Sequence, residues 1–85
     1  MTRFELGRIV ATPGALALDV DLAVLLARHH GGDWGDLGAF DRCENDRALK
    51  HGERLFSAYE TPAGKVWIVT EWDRSSTCIL LPEEY

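Results

Sequence analysis

Two hydrophobic periods divide this chain. From Arg54 onward the apolar residues recur at a period of two, whereas Leu22, Leu25, Leu26 and His29 fall at i, i+3, i+4 and i+7. The first pattern is that of strands and the second that of one helix stripe. A fold that satisfies both must lay helices against a sheet. The strand half reads as a meander. Arg54 to Tyr59 forms its first strand, and Thr61-Pro62-Ala63-Gly64 supplies turn residues with proline and glycine where a hairpin wants them. Val66 to Trp72 is apolar on both faces until its end, which places it centrally in the sheet. Asp73 to Ser76 turns the chain, Thr77 to Leu81 is the last strand, and Pro82 stops it before the acidic Glu83-Glu84-Tyr85.

Ahead of the meander, Phe4 to Ala11 reads as a strand weakened by Gly7. Thr12 and Pro13 are suited to the cap and first turn of a short helix. Asp21 then caps the stripe helix, and Gly31-Gly32 ends it. Ala39 to Lys50 carries helix formers with charges of both signs, a mostly exposed helix over the sheet stopped by Gly52. Its apolar stripe is Phe40, Cys43, Ala48 and Leu49. The expected fold is α+β: a small antiparallel sheet of about four strands with two to three helices on one face, order β-α-α-β-β-β. The predicted core joins Leu22, Leu25 and Leu26 to Leu55, Trp67 or its face partners, Ile68, Ile79 and Leu81.

At 85 residues the chain is one domain, read as a single unit over 1–85. Its formal charge of -5 argues against direct nucleic-acid binding, which requires a basic face. No apolar run approaches the roughly 20 residues of a membrane span, and no signal peptide is seen. Together with only two cysteines, this predicts a cytoplasmic protein. Cys43 and Cys78 are expected to be buried, reduced thiols, since a small secreted domain would carry a larger framework.

Catalytic signatures are missing from the sequence. His29-His30 with Asp33 and Asp36 has the residue types of a metal site, but adjacent helical residues point about 100° apart. Zinc on a helix wants i, i+4 spacing. His29 therefore completes the apolar stripe, and His30 meets the helix C-terminus. Ser75 and Ser76 lack a G-x-S-x-G elbow, and His51 has no evident nucleophile to serve. Gly31, Gly32, Gly35 and Gly38 follow a helix without the lysine of a phosphate loop. The expectation is a non-enzyme with neither cofactor nor metal.

The segment from Asp33 to Asp46 concentrates Asp33, Asp36, Asp41, Glu44 and Asp46, interspersed with Arg42 and Arg47. It is either a solvated helix face or a surface that meets a basic partner by complementary potential. Trp34 is correspondingly a lid on the core edge or an exposed anchor, while Trp67 and Trp72 follow the strand pattern as packing residues. On the functional alternative, Asp33, Trp34, Asp36, Asp41 and Glu44 form the partner-binding site.

Longer blocks carry a resemblance. Ile9-Val10-Ala11-Thr12-Pro13-Gly14-Ala15-Leu16, Gly32-Asp33-Trp34-Gly35-Asp36-Leu37, Asp73-Arg74-Ser75-Ser76-Thr77 and Ile79-Leu80-Leu81-Pro82-Glu83-Glu84-Tyr85 stand with Ser57-Ala58-Tyr59, Trp67-Ile68 and Thr70-Glu71. Together they resemble a family of small uncharacterised plasmid-related proteins found on bacterial plasmids, integrative elements and prophages. Trp72 departs from that pattern, where a small residue is expected. The resemblance implies a mobile-element protein and carries no catalytic residues. Joined to the acidic charge, it implies an inhibitor of a host defence complex, of anti-CRISPR or anti-restriction type, occupying a basic nucleic-acid-binding surface. An accessory interaction module, homodimeric through an exposed strand edge, and a small metal-dependent hydrolase are the alternatives.

Overall fold

The computed structural model describes residues 4–85. Strand β1 (Arg8–Ala11) leads into helices α1 (Pro13–Ala17), α2 (Leu22–His30) and α3 (Ala39–His51). Strands β2 (Leu55–Thr61), β3 (Gly64–Thr70) and β4 (Ser76–Leu80) follow, then a 3-10 turn over Pro82–Glu84. The domain is α+β, with one four-stranded sheet in the order β1-β4-β3-β2. Phe4 to Gly7, expected in the first strand, lies outside it. Among the described residues no helix is long and apolar enough to cross a membrane.

The helix boundaries follow local chemistry. The Thr12 hydroxyl accepts the Ala15 N–H at the start of α1, and the Asp21 carboxylate accepts the Ala23 N–H at the start of α2. Gly52, at φ 68°, provides the left-handed turn that ends α3.

One expectation needs correction. β2, β3 and β4 are antiparallel neighbours, but β1 pairs parallel with β4, from Arg8↔Ser76 to Ala11↔Ile79, so the sheet is mixed. The reason is the connection. Three helices between β1 and β2 form a crossover, and a crossover returns the chain to run in its original direction. β1 therefore runs with β2, and hence with β4.

The alternation of side chains sorts the sheet into two faces. Tyr59, Val66, Ile68 and Ile79 are buried on the helix side, against Ala15 and Leu25. Leu22 and Leu26 are partly buried at the rim of this core. A second cluster joins Leu55 to Trp34 and Ala48. Trp67 points to the opposite face, and Leu81 is only partly buried. The α3 stripe also differs from expectation: Asn45 and Ala48 are buried, whereas Phe40 is 77% exposed and Cys43 is exposed. Both cysteines are free thiols, with Cys78 half-buried.

The β2 edge is sealed by groups outside the sheet. The Asn45 amide donates to the Phe56 carbonyl and accepts the Phe56 N–H at 3.0 Å. The Trp34 carbonyl accepts the Ala58 N–H at 3.2 Å, and the Asp36 N–H donates to the Ala58 carbonyl at 2.7 Å. The Asp36 carboxylate then takes the Glu60 N–H at 2.6 Å. Gly35 makes this approach possible. Its φ is +79°, and a Cβ would lie 2.1 Å from the Ala58 carbonyl oxygen.

Candidate functional site

The sheet face away from the helices carries an open groove with an apolar lining. Register places Phe56, Val69 and Cys78 in one row across β2, β3 and β4, and Ala58, Trp67 and Leu80 in the next. The 3-10 turn packs against β3 and brings Tyr85 over these rows. Glu84 holds that turn in place. Its carboxylate accepts the Thr12 hydroxyl at 2.5 Å, the Leu81 N–H at 2.9 Å and the Gly14 N–H at 3.1 Å. The Thr12 hydrogen bond is the chief reason its carboxyl titrates below the ordinary range.

Trp67 meets Phe56 edge-on at 5.0 Å between ring centroids and Tyr85 at 5.7 Å. The Arg54 guanidinium lies over the Tyr85 ring at 5.5 Å, donates to its hydroxyl at 2.8 Å, and approaches Glu71 at 3.5 Å. Arg54, Phe56, Trp67, Val69 and Tyr85 line an open groove of about 310 Å³. A neighbouring recess of about 330 Å³ shares Arg54, Val69 and Tyr85 and adds Glu71, Cys78, Leu80 and Glu84. On the other side of Trp67, a small hollow is bounded by Asp36, Glu60 and Lys65. The floor is thus aromatic and aliphatic, and carboxylates outnumber cations around it. Burial, followed by the charges of Glu84 and Glu71, raises the Cys78 thiol pKa, so the groove offers no ready thiolate. What such a surface can do is hold a planar or apolar group against its centre and select charge at its margin.

The residues expected to form the binding site are not gathered around one open groove. Trp34 is the clearest correction, because it is only 3% exposed and cannot anchor a partner. Its indole packs beside Phe4 and His29, and its N–H donates to Asp46 at 2.9 Å. Burying a large aromatic surface while giving its one donor a partner is the more stable outcome for this residue. Asp33 pairs with Arg28 at 2.7 Å and accepts the Gly35 N–H. The Arg28 hydrogen bond is the leading cause of a carboxyl pKa below the usual range. Asp36 is committed to the β2 edge, and of the five it alone borders the open face. Asp41 is exposed in the first turn of α3, and Glu44 pairs with Arg47 at 3.4 Å.

A group of polar residues in the interior was not foreseen. His29 has no solvent exposure, and its Nδ1 lies 2.5 Å from the Ser57 hydroxyl. Nε2 lies 2.8 Å from the Thr70 hydroxyl, which is 2.8 Å from that of Thr77. Thr77 donates to the Leu6 carbonyl at 2.7 Å. Since a carbonyl only accepts, the whole chain acquires a direction. Thr70 donates to Thr77, Nε2–H donates to Thr70, and the Ser57 hydroxyl donates to Nδ1. A neutral imidazole satisfies every member. Desolvation, followed by the charges of His30 and Arg74, lowers the His29 pKa to about 4. A serine and a histidine in contact have the composition of a nucleophile and base, but Ser57 and His29 are fully buried and no substrate reaches them. Alternate residues on strands carry no mark of which hydroxyl lies inside, so only the position of His29 on the apolar stripe signalled this cluster.

Among the described residues, no group of three His, Cys, Asp or Glu side chains is arranged to hold a metal ion. Comparison with protein-family models, curated proteins and solved structures finds no match for this chain.

Proposed function

We propose that this domain is a non-enzymatic binding protein that docks its helix-free sheet face on a partner protein with a basic margin. We propose further that the partner is a bacterial host defence complex, of restriction or CRISPR type, whose nucleic-acid-binding surface is occupied. The observation that carries the reading is the open groove of about 310 Å³ floored by Phe56, Trp67 and Val69. An apolar centre inside an acidic margin is the anatomy of a protein docking surface rather than of a small enzyme's site. Binding energy concentrates in a few central aromatic and arginine side chains, here Trp67 and Arg54, while the outer charges steer encounter. The net charge of -5 gives that steering the sign suited to a partner that itself binds nucleic acid. This moves the anchor from Trp34 to Trp67.

The test is affinity purification from a bacterial host with active restriction and CRISPR systems, combined with phage plating. The parent chain is expected to retain a DNA-binding subunit of one system and to raise plating efficiency. Trp67→Ala, checked for folding by circular dichroism, is expected to weaken retention by at least about tenfold. A double charge reversal on α3, Asp41→Lys with Glu44→Lys, is expected to retain the same subunit. Unchanged plating with the parent chain, or loss of the subunit from the α3 variant alone, refutes the assignment.

A further inference from the structure

The two edges of the sheet are treated differently. Every outward main-chain group of β2 at Phe56 and Ala58 has a partner, as does the Glu60 N–H. The N–H groups of Arg8, in β1, and of Thr12, just after it, bond to the carbonyls of Ser75, just before β4, and of Ile79, within it, so the alternation turns Ile9 and Ala11 outward. No described residue bonds to those outward groups. Exposed apolar side chains collect at the same edge: Ile9 is 49% exposed, Val10 40%, and Leu16, in the helix that directly follows, 66%.

We infer that β1 is a homodimerisation edge, pairing antiparallel with β1 of a second copy of this chain. The strand is complementary to itself in one register. With Val10 on the two-fold axis, Ile9 of one copy faces Ala11 of the other, and both residues turn their main-chain groups toward the partner. Each such pair exchanges both of its hydrogen bonds. Shifting the register to centre Ile9 sets Gly7, at φ +65°, opposite Ala11 and forfeits that pair. Centring Ala11 brings in Pro13, which has no N–H to give. In the favoured register Arg8 lies opposite Thr12, so no like charges meet. The two Val10 side chains pack across a non-hydrogen-bonded position, where cross-strand contact is closest. A foreign strand would satisfy the same groups, but only a second copy follows from the self-matching register.

The edge is short, so the dimer exchanges with monomer rather than forming a permanent assembly of the usual ~1,600 Å². This inference stands apart from the sheet-face docking above, since Ile9, in register with Thr77, lies on the helix side of the sheet and Ile9→Pro leaves the Trp67 face untouched. Sedimentation equilibrium over a wide concentration range is expected to show the mass rising from 9.5 kDa toward twice that value. Amide exchange at Ile9 and Ala11 should slow as concentration rises, while Val10, already bonded to β4, stays unchanged. Ile9→Pro removes an outward N–H without breaking a bond to β4, and is expected to hold the chain monomeric with its fold intact. Val10→Lys places like charges on the axis and is expected to do the same. A parent chain that stays at 9.5 kDa at the highest concentration overturns the inference. So does a dimer in which the Ile9 and Ala11 amides exchange as in the monomer.

Discussion

Acidification offers a direct test of the buried histidine network. His29 has an ordinary pKa of 6.5 that the fold lowers to about 4, because desolvation favours the neutral ring. Protonating Nδ1 would also set its N–H against the hydroxyl proton of Ser57, which now donates to it. The unfolded chain therefore binds the proton more readily than the folded one between these two values. Stability from this group is fully present above the ordinary pKa and is lost as pH falls toward the folded one. The linkage amounts to about 2 kcal/mol at pH 5 and about 3 kcal/mol once pH reaches the folded value. That is a large share of the roughly 5–15 kcal/mol expected of a whole domain. Urea unfolding followed by circular dichroism from pH 7 to pH 4.5 measures it, at constant slope. His29→Leu removes the titration while leaving the carboxylates as they are. At neutral pH this variant is expected to lose about 1–3 kcal/mol, chiefly from the stranded Ser57 hydroxyl. Its midpoint should then fall less steeply with acid than that of the parent. If the two curves run parallel between pH 6.5 and pH 5, the neutral, directed network is refuted.

Trp34→Ala is expected to cost about 3–5 kcal/mol in thermal or urea unfolding, as a buried aromatic does, whereas Trp34→Phe should lose mainly the Asp46 hydrogen bond. Asn45→Ala leaves both main-chain groups of Phe56 without their partner and is expected to cost about 1–3 kcal/mol. Hydrogen exchange at the Phe56 amide should quicken in the same variant. Glu84→Gln weakens the clasp on Thr12, Gly14 and Leu81, and the altered seating of Tyr85 should change Trp67 fluorescence. In the parent chain the same change should appear as pH falls through the lowered carboxyl pKa, since a depressed acid stabilises only while ionised.

Local patterns in the sequence revealed the elements far better than the site. The α2 stripe and the Gly31-Gly32 stop were plain, because a helix buries one face and needs a turn to end. The meander was equally plain from alternation and its turn residues. The parallel pairing of β1 was not, since a partner so distant in sequence leaves no local period. Asn45 was hidden for a related reason. Within a charged helix it reads as another polar residue, and only its position beside Phe56 turns it into an edge seal. The acidic segment stayed open between a solvated face and a binding surface, because a carboxylate in the sequence does not reveal whether it faces water, an arginine or a main-chain N–H. Alternation marks Trp67 as a strand residue, but which sheet face lacks helices depends on the crossover and not on the strand itself.

The parallel contact between β1 and β4 also dictates an order of events in folding. Leu6 and Thr77, joined through the end of that contact, are 71 residues apart. During synthesis at roughly 5–20 residues per second, β1 waits several seconds for the strand it needs. The β2–β3–β4 meander closes only short loops and forms ahead of it, because long-range pairing must first meet its loop-closure entropy. β1 is then expected to dock last and to release first. Weakening it should speed unfolding while leaving the folding rate almost untouched. Through the same interval the apolar Ile9 and Val10 stay uncovered on the nascent chain, open to chaperones and to other unfinished copies.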